Sequence, residues 1–188
     1  MVHMGRLTVK NIDSMFRELK NTKAIIFDLR QYPKGTLFML AKYLFREPAQ
    51  FASIIYPDLN YPGHFLWDDR PVVGPKPNEN FTYYEGKVIV LVSEYSQSQS
   101  EWTAMALQAR KGTITIGSTT SGADGDVSFI SLPGGYSTMM SGLGVFYPDR
   151  TPTQQVGVKI DVVVKPTIKG IREGRDEVLE KALSLLNN

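Results

Sequence analysis

The 188-residue chain contains no cysteine. Disulfides, thiol nucleophiles and cysteine-bound metal centres are therefore excluded, while the compartment stays open, because a cysteine-free domain survives in either redox setting. Histidine is nearly absent too: only His3 and His64 occur, so the side chain that most readily exchanges a proton near neutral pH is in short supply. No apolar run approaches the roughly 18 residues that a membrane helix needs, and no charged N-terminal region precedes an apolar stretch. Neither sign of charge dominates, with 21 Lys+Arg against 19 Asp+Glu and a net charge of +2. The basic residues are scattered rather than gathered into a stripe, which argues against nucleic acid as a partner. Internal repeats and low-complexity tracts are also missing.

What is present suits one domain with a core that needs no covalent or metal staple. Met1-Val2-His3-Met4-Gly5, with two methionines in four residues, reads as an appended leader, leaving residues 6–188 as the domain and His64 as its histidine. Asn11 or Asp13 can cap a short amphipathic helix through Met15, Phe16 and Leu19, and Lys23 to Leu29 then reads as a buried strand. A second helix over Thr36 to Arg46 places Leu37, Leu40, Ala41 and Leu44 on one face. Residues 50–83 are aromatic and proline-rich, with Tyr56, Tyr61, Phe65, Trp67, Phe81 and Tyr83 among turn formers such as Pro62-Gly63 and Pro75 to Pro77. They predict an excursion with irregular strands, whose exposed aromatics would suit a binding groove.

Lys87 to Ser93 is a continuous apolar run, as expected of a central parallel strand covered on both faces. Glu101 to Arg110 reads as a helix and Thr113 to Gly117 as another buried strand. Val127 to Leu132 and Tyr136 to Ser141 flank Pro133-Gly134-Gly135 as a β-hairpin. Val158 to Val164 is strand-like, and Pro166 separates it from a terminal helix over Asp176 to Leu186. Strands alternating with helices predict an α/β domain with a mainly parallel sheet, flanking helices and one hairpin.

The segment that carries chemistry is Ser93-Glu94-Tyr95-Ser96-Gln97-Ser98-Gln99-Ser100-Glu101-Trp102, between a strand and a helix. Such a turn lies at the carboxyl edge of a sheet, where open α/β folds place ligands and where the free N–H groups of a first helical turn can hold an oxyanion. From spacing alone the simplest reading is a capping box, with Ser98 at the helix start and Glu101 reaching back to its amide.

The run resembles the signature of the carboxyl-terminal processing, or tail-specific, serine peptidases, in which a strand ends in a Ser-Ala-Ser-Ala-Ser-Glu-like turn before a helix. Ser96, Ser98, Ser100 and Glu101 match that pattern, Gln97 and Gln99 replace the alanines, and the resemblance implies Ser98 as the catalytic nucleophile. Asp28-Leu29-Arg30-Gln31-Tyr32-Pro33-Lys34-Gly35 is similar to the family's Asp-Leu-Arg-x-Asn-Pro-Gly-Gly turn. It implies an oxyanion hole made by the backbone N–H groups of Gly35 and Gln99, with Lys34 in place of the first glycine. Gly117 to Gly122 and Gly157-Val158-Lys159-Ile160-Asp161 correspond to two later motifs, Ile160 replacing a proline. The resemblance further implies a ClpP/crotonase-like core, substrate binding along Gly122, Ala123 and Asp124, a peptide or unfolded-protein substrate, and a periplasmic or extracellular setting. No cofactor or metal is expected; Asp124 and Asp126 around Gly125 read as a turn, since two carboxylates alone do not define a calcium site.

The sequence departs from the family at the base that a serine hydroxyl needs. Ala123 stands where one branch has a lysine. The turn Thr119 to Gly125 is closer to the tricorn-like branch, which uses an upstream histidine and a later glutamate, yet Gln154 and Gln155 replace the carboxylate. His64, in an aromatic loop, reads as a partly buried surface histidine, and Lys111, Lys159 and Lys165 as solvated. The expectation is an N-terminally truncated peptidase core of little or no activity, associating through uncovered apolar faces. Two alternatives are a non-catalytic peptide- or polymer-binding module and a crotonase-like acyl-transfer enzyme, the serine cluster speaking against the latter.

Overall fold

In the computed structural model, which describes residues 1–76 and 82–186, the chain runs from β1 (Val2–His3) through a 3-10 turn into α1 (Ile12–Leu19) and β2 (Ala24–Asp28). Next come α2 (Leu37–Leu44) and four short strands, β3 (Ala49–Gln50), β4 (Ser53–Pro57), β5 (Phe65–Asp68) and β6 (Val72–Val73). The unit β7 (Lys87–Val92), α3 (Gln99–Gln108) and β8 (Ile114–Gly117) follows. The hairpin β9 (Val127–Leu132) and β10 (Tyr136–Ser141), then β11 (Gly144–Phe146), β12 (Val162–Val163), α4 (Ile168–Arg172) and α5 (Glu177–Ser184) complete the order.

The central sheet has the order β1-β2-β7-β8-β12, and every neighbouring pair is parallel. Its two longest strands, β2 and β7, are apolar apart from Asp28 and Lys87 at their ends, because both faces are covered. Alternation sends Ile25, Phe27, Val88, Val90 and Val92 toward the side chains of α1, α2 and α3. Ile26, Ile89 and Leu91 point the other way, onto Val178 and Ala182 of α5. Burying a Val, Leu or Ile side chain contributes about 1.5–3 kcal/mol each, so these two layers dominate the stability of the fold.

The aromatic segment forms a separate three-stranded antiparallel sheet, β11-β4-β5. Trp67 packs edge-on against Phe146 and lies under the Arg150 guanidinium. Tyr61 and Phe65 are exposed, whereas Tyr84 is buried against Phe16 and bonded to Thr22; Pro77 and Phe81 lie outside the described residues.

Several sequence expectations change. Residues 1–5, read as an appended leader, are integrated into the fold: Val2 and His3 pair with Phe27 and Asp28, and Met4 is fully buried in the main core. That integration comes from tertiary pairing, for which two residues carry no local signal. The strand expected over residues 158–164 shortens to Val162–Val163, because the Val158 and Lys159 amides bond instead to the Thr120 and Tyr147 hydroxyls. After Pro166 the short helix α4 intervenes, capped by the Thr167 hydroxyl, which accepts from the Gly170 N–H. Arg30 locks the far end of the chain to the sheet. Its guanidinium donates to both carboxylate oxygens of Asp28 and both of Asp176, each at 2.8 Å, and Asp176 also caps α5.

Candidate active site

Three turns meet at the carboxyl ends of β2, β7 and β8. The serine cluster staples them. The Ser96 hydroxyl donates to the Leu29 carbonyl after β2 and accepts the Ser93 N–H after β7, while the Ser121 N–H and hydroxyl donate to the Ser96 carbonyl. Ser96 is fully buried, so it serves as a tie between strands rather than as a reacting group.

Ser98 is the N-cap of α3, where the strand-turn-helix pattern predicts it. Its backbone has φ 50° and ψ −118°, a positive-φ conformation that costs a non-glycine residue about 1–3 kcal/mol and is tolerated where the surroundings enforce it. Glu101 supplies that enforcement. Its side chain is completely buried, and its oxygens accept from the Ser98, Gly122 and Ala123 N–H groups at 3.2, 2.8 and 2.9 Å and from the Thr120 hydroxyl. One carboxylate thus joins the nucleophile turn to the loop after β8. The capping-box reading and the nucleophile reading coexist, since Ser98 and Glu101 bond reciprocally through backbone and side chain while Ser98 still lines the cleft.

Gly35 has φ +64°, and the position a Cβ would take lies 3.9 Å from Gln99 Nε2. The β2–α2 turn therefore abuts the first residue of α3, whose N–H has no partner within the helix by construction. Gly35 thus lies against the Gln99 side chain, one residue past Ser98.

Around them lies a cleft of about 520 Å³ lined by Tyr32, Ile54, Ser98, Trp102, Asp124 and Val145, among others. The Tyr32 hydroxyl reaches Ser98 Oγ at 3.5 Å. Tyr32 and Trp102 carry no role in the sequence reading; the former occupies the asparagine position of the Asp-Leu-Arg turn, and that departure was the available signal. Of the three residues expected to bind substrate, Gly122 (φ +62°) and Ala123 hang on Glu101, while Asp124 is only 6% exposed and lines the cleft. Burial, reinforced by the nearby Glu101 charge, pushes the Asp124 carboxyl up to about 7 against the opposing pull of the Gly125 N–H.

No histidine or lysine hydrogen-bonds the Ser98 hydroxyl among the described residues. His64 is exposed rather than partly buried, and sits with Asp58 at 3.3 Å in the β4–β5 turn. Lys159 pairs with Asp149 over the Tyr147 ring. Gln154, at the position where a carboxylate was sought, holds loops together instead. Its amide donates to the Asp124 and Leu143 carbonyls and accepts from the Val145 N–H. No group of three or more His, Asp or Glu side chains suited to a metal occurs among the described residues.

Comparison with known proteins agrees with the motif order. The model of the peptidase family S41 matches residues 1–164. A structure described as a candidate peptidase from Parabacteroides merdae superposes with a TM-score of 0.82 at 24% identity, covering 98% of this chain and 59% of that one. Mature CPAF complexed with lactacystin gives 0.76 at 16% identity, with 98% and 48% covered. The photosystem II D1 C-terminal processing protease gives 0.63 at 18%, with 95% and 46% covered. The chain thus spans roughly half to three fifths of the length of these structures. No curated protein matches it in sequence.

Proposed function

The chain belongs to peptidase family S41, and from that premise we propose that it is the core of a serine endopeptidase of the tail-specific, C-terminal processing kind, with Ser98 as nucleophile. The observation that carries this reading is the strained Ser98 at the start of α3, beside Gly35 and Gln99 and open to the cleft. Ser98 Oγ attacks the scissile carbonyl carbon, and the oxygen that becomes negative lodges against the Gly35 and Gln99 N–H groups. The C–N bond then breaks, the amine leaves with a proton, and water releases the acyl group from Ser98. Each preorganised donor of this kind contributes about 2.7–4 kcal/mol to lowering the barrier. A peptide or unfolded protein is the substrate in this reading, and family likeness alone supports a periplasmic or extracellular setting.

The step left unassisted is removal of the Ser98 proton: the Tyr32 hydroxyl, 3.5 Å from Ser98 Oγ, donates toward that oxygen and so does not act as its base. This polypeptide is therefore expected to turn peptides over several orders of magnitude more slowly than a complete triad would allow. Incubation with an unstructured peptide, read by mass spectrometry, should show slow cleavage that Ser98→Ala removes. Rapid cleavage by the unaltered chain would contradict the missing base, and cleavage that survives Ser98→Ala would contradict the nucleophile. The same missing contact favours a second reading, a peptide-binding module on a peptidase fold, which predicts binding with no Ser98-dependent cleavage at all.

A further inference from the structure

Asp124 is buried, and its Oδ2 has no hydrogen-bond partner among the described residues. Its other oxygen accepts the Gly125 N–H at 2.8 Å, and its carbonyl accepts from the Gln154 amide at 2.8 Å, so the turn is held firmly while Oδ2 is left over. A buried carboxylate oxygen without a partner is expensive in a finished fold and marks a position that something else satisfies. The residue before it, Ala123, shares one Glu101 oxygen with Ser98, which keeps Asp124 within a side chain's length of the nucleophile turn. The cleft they share is lined by the apolar Ile54, Trp102, Val127, Leu143 and Val145 together with the polar Tyr32, Gln99 and Asp126.

A cleft with much apolar lining and a buried, half-satisfied acid in its wall matches a side chain with an aliphatic stem and a cationic head. We propose that Asp124 is the specificity-determining residue of the cleft and takes a lysine or arginine side chain of the bound peptide. The inference rests on the cleft being the peptide site. Among the charged and titratable groups near Asp124, Glu101 on α3 and Asp126 in the same turn are both acidic, and Tyr32 is the remaining titratable lining residue; β4 and the segment at β11 contribute only apolar side chains. The local field thus favours a cation.

Binding separates this inference from the catalytic reading. Two labelled unstructured peptides, identical except for a central lysine or norleucine, are titrated at pH 8 against Ser98→Ala by fluorescence anisotropy. The lysine peptide should bind on the order of tenfold more tightly or better, given the strength of desolvated charge pairs. Adding Asp124→Asn should bring it down to the norleucine value, and adding Asp126→Asn should not. Equal binding of the two peptides, or a preference that follows Asp126 instead, would overturn the inference while leaving the peptide site intact. Binding of neither peptide would overturn both.

Discussion

Asp124 is where burial and charge conflict most directly. In the folded chain its carboxyl titrates near 7, against about 3.9 in an unfolded chain. Between those values the folded state holds a proton that the unfolded state has lost, so this group makes stability fall as pH rises from about 4 to 7, with no further loss above. The ceiling on that loss is about 4 kcal/mol. Asp124→Asn keeps an acceptor for the Gly125 N–H and removes the charge. Urea unfolding should therefore show the variant more stable than the parent at pH 8 by up to a few kcal/mol, with the two curves converging near pH 4. A parent chain that gains stability between pH 4 and 7 relative to the variant would refute the buried-acid account. None of this was legible in the spacing: Asp124-Gly125-Asp126 announces a turn, but which carboxylate points inward is decided by the tie from Gly122 and Ala123 to Glu101. His64 shows the same limit in reverse, since an aromatic neighbourhood in sequence left its ring exposed in space.

At the scale of elements the serine turn, α3 and the loop after β8 behave as one unit because Glu101 serves all three. Its oxygens accept from the Ser98, Gly122 and Ala123 amides and the Thr120 hydroxyl. Glu101→Gln would set an amide NH₂ against a group that consists only of donors. Leaving buried donors unmet costs about 1–3 kcal/mol apiece, so the variant should melt several degrees lower and lose whatever Ser98-dependent reactivity the parent has. An unchanged melting temperature with unchanged reactivity would show that the tie is dispensable. The capping-box spacing foretold the bond to the Ser98 amide but not the two amides from the following loop, which lie 21 and 22 residues away in sequence. Strong apolar runs made β2 and β7 readable to within a residue or two, and the turn residues did the same for the β9–β10 hairpin. By contrast, β1 and β12 are two-residue strands whose existence depends on the neighbours they meet.

For the whole molecule, the sheet is covered on both faces, by α1, α2 and α3 on one side and α5 on the other. The hairpin carries exposed apolar side chains on both strands, Phe129, Tyr136, Met139 and Met140 among them. The fold directs its chemistry to one edge: the turns after β2, β7 and β8 converge, and the cleft opens where they meet. Everything proposed for the activity depends on Ser98 being a nucleophile with an oxyanion site beside it rather than a helix cap alone. An activated aryl ester tests this most directly, because its good leaving group reduces the demand for a general base. After brief incubation, intact-mass and peptide mapping should find a single acyl adduct on Ser98 that is absent from Ser98→Ala. An adduct on another residue, or no adduct under conditions where the chain remains folded, would contradict the assignment.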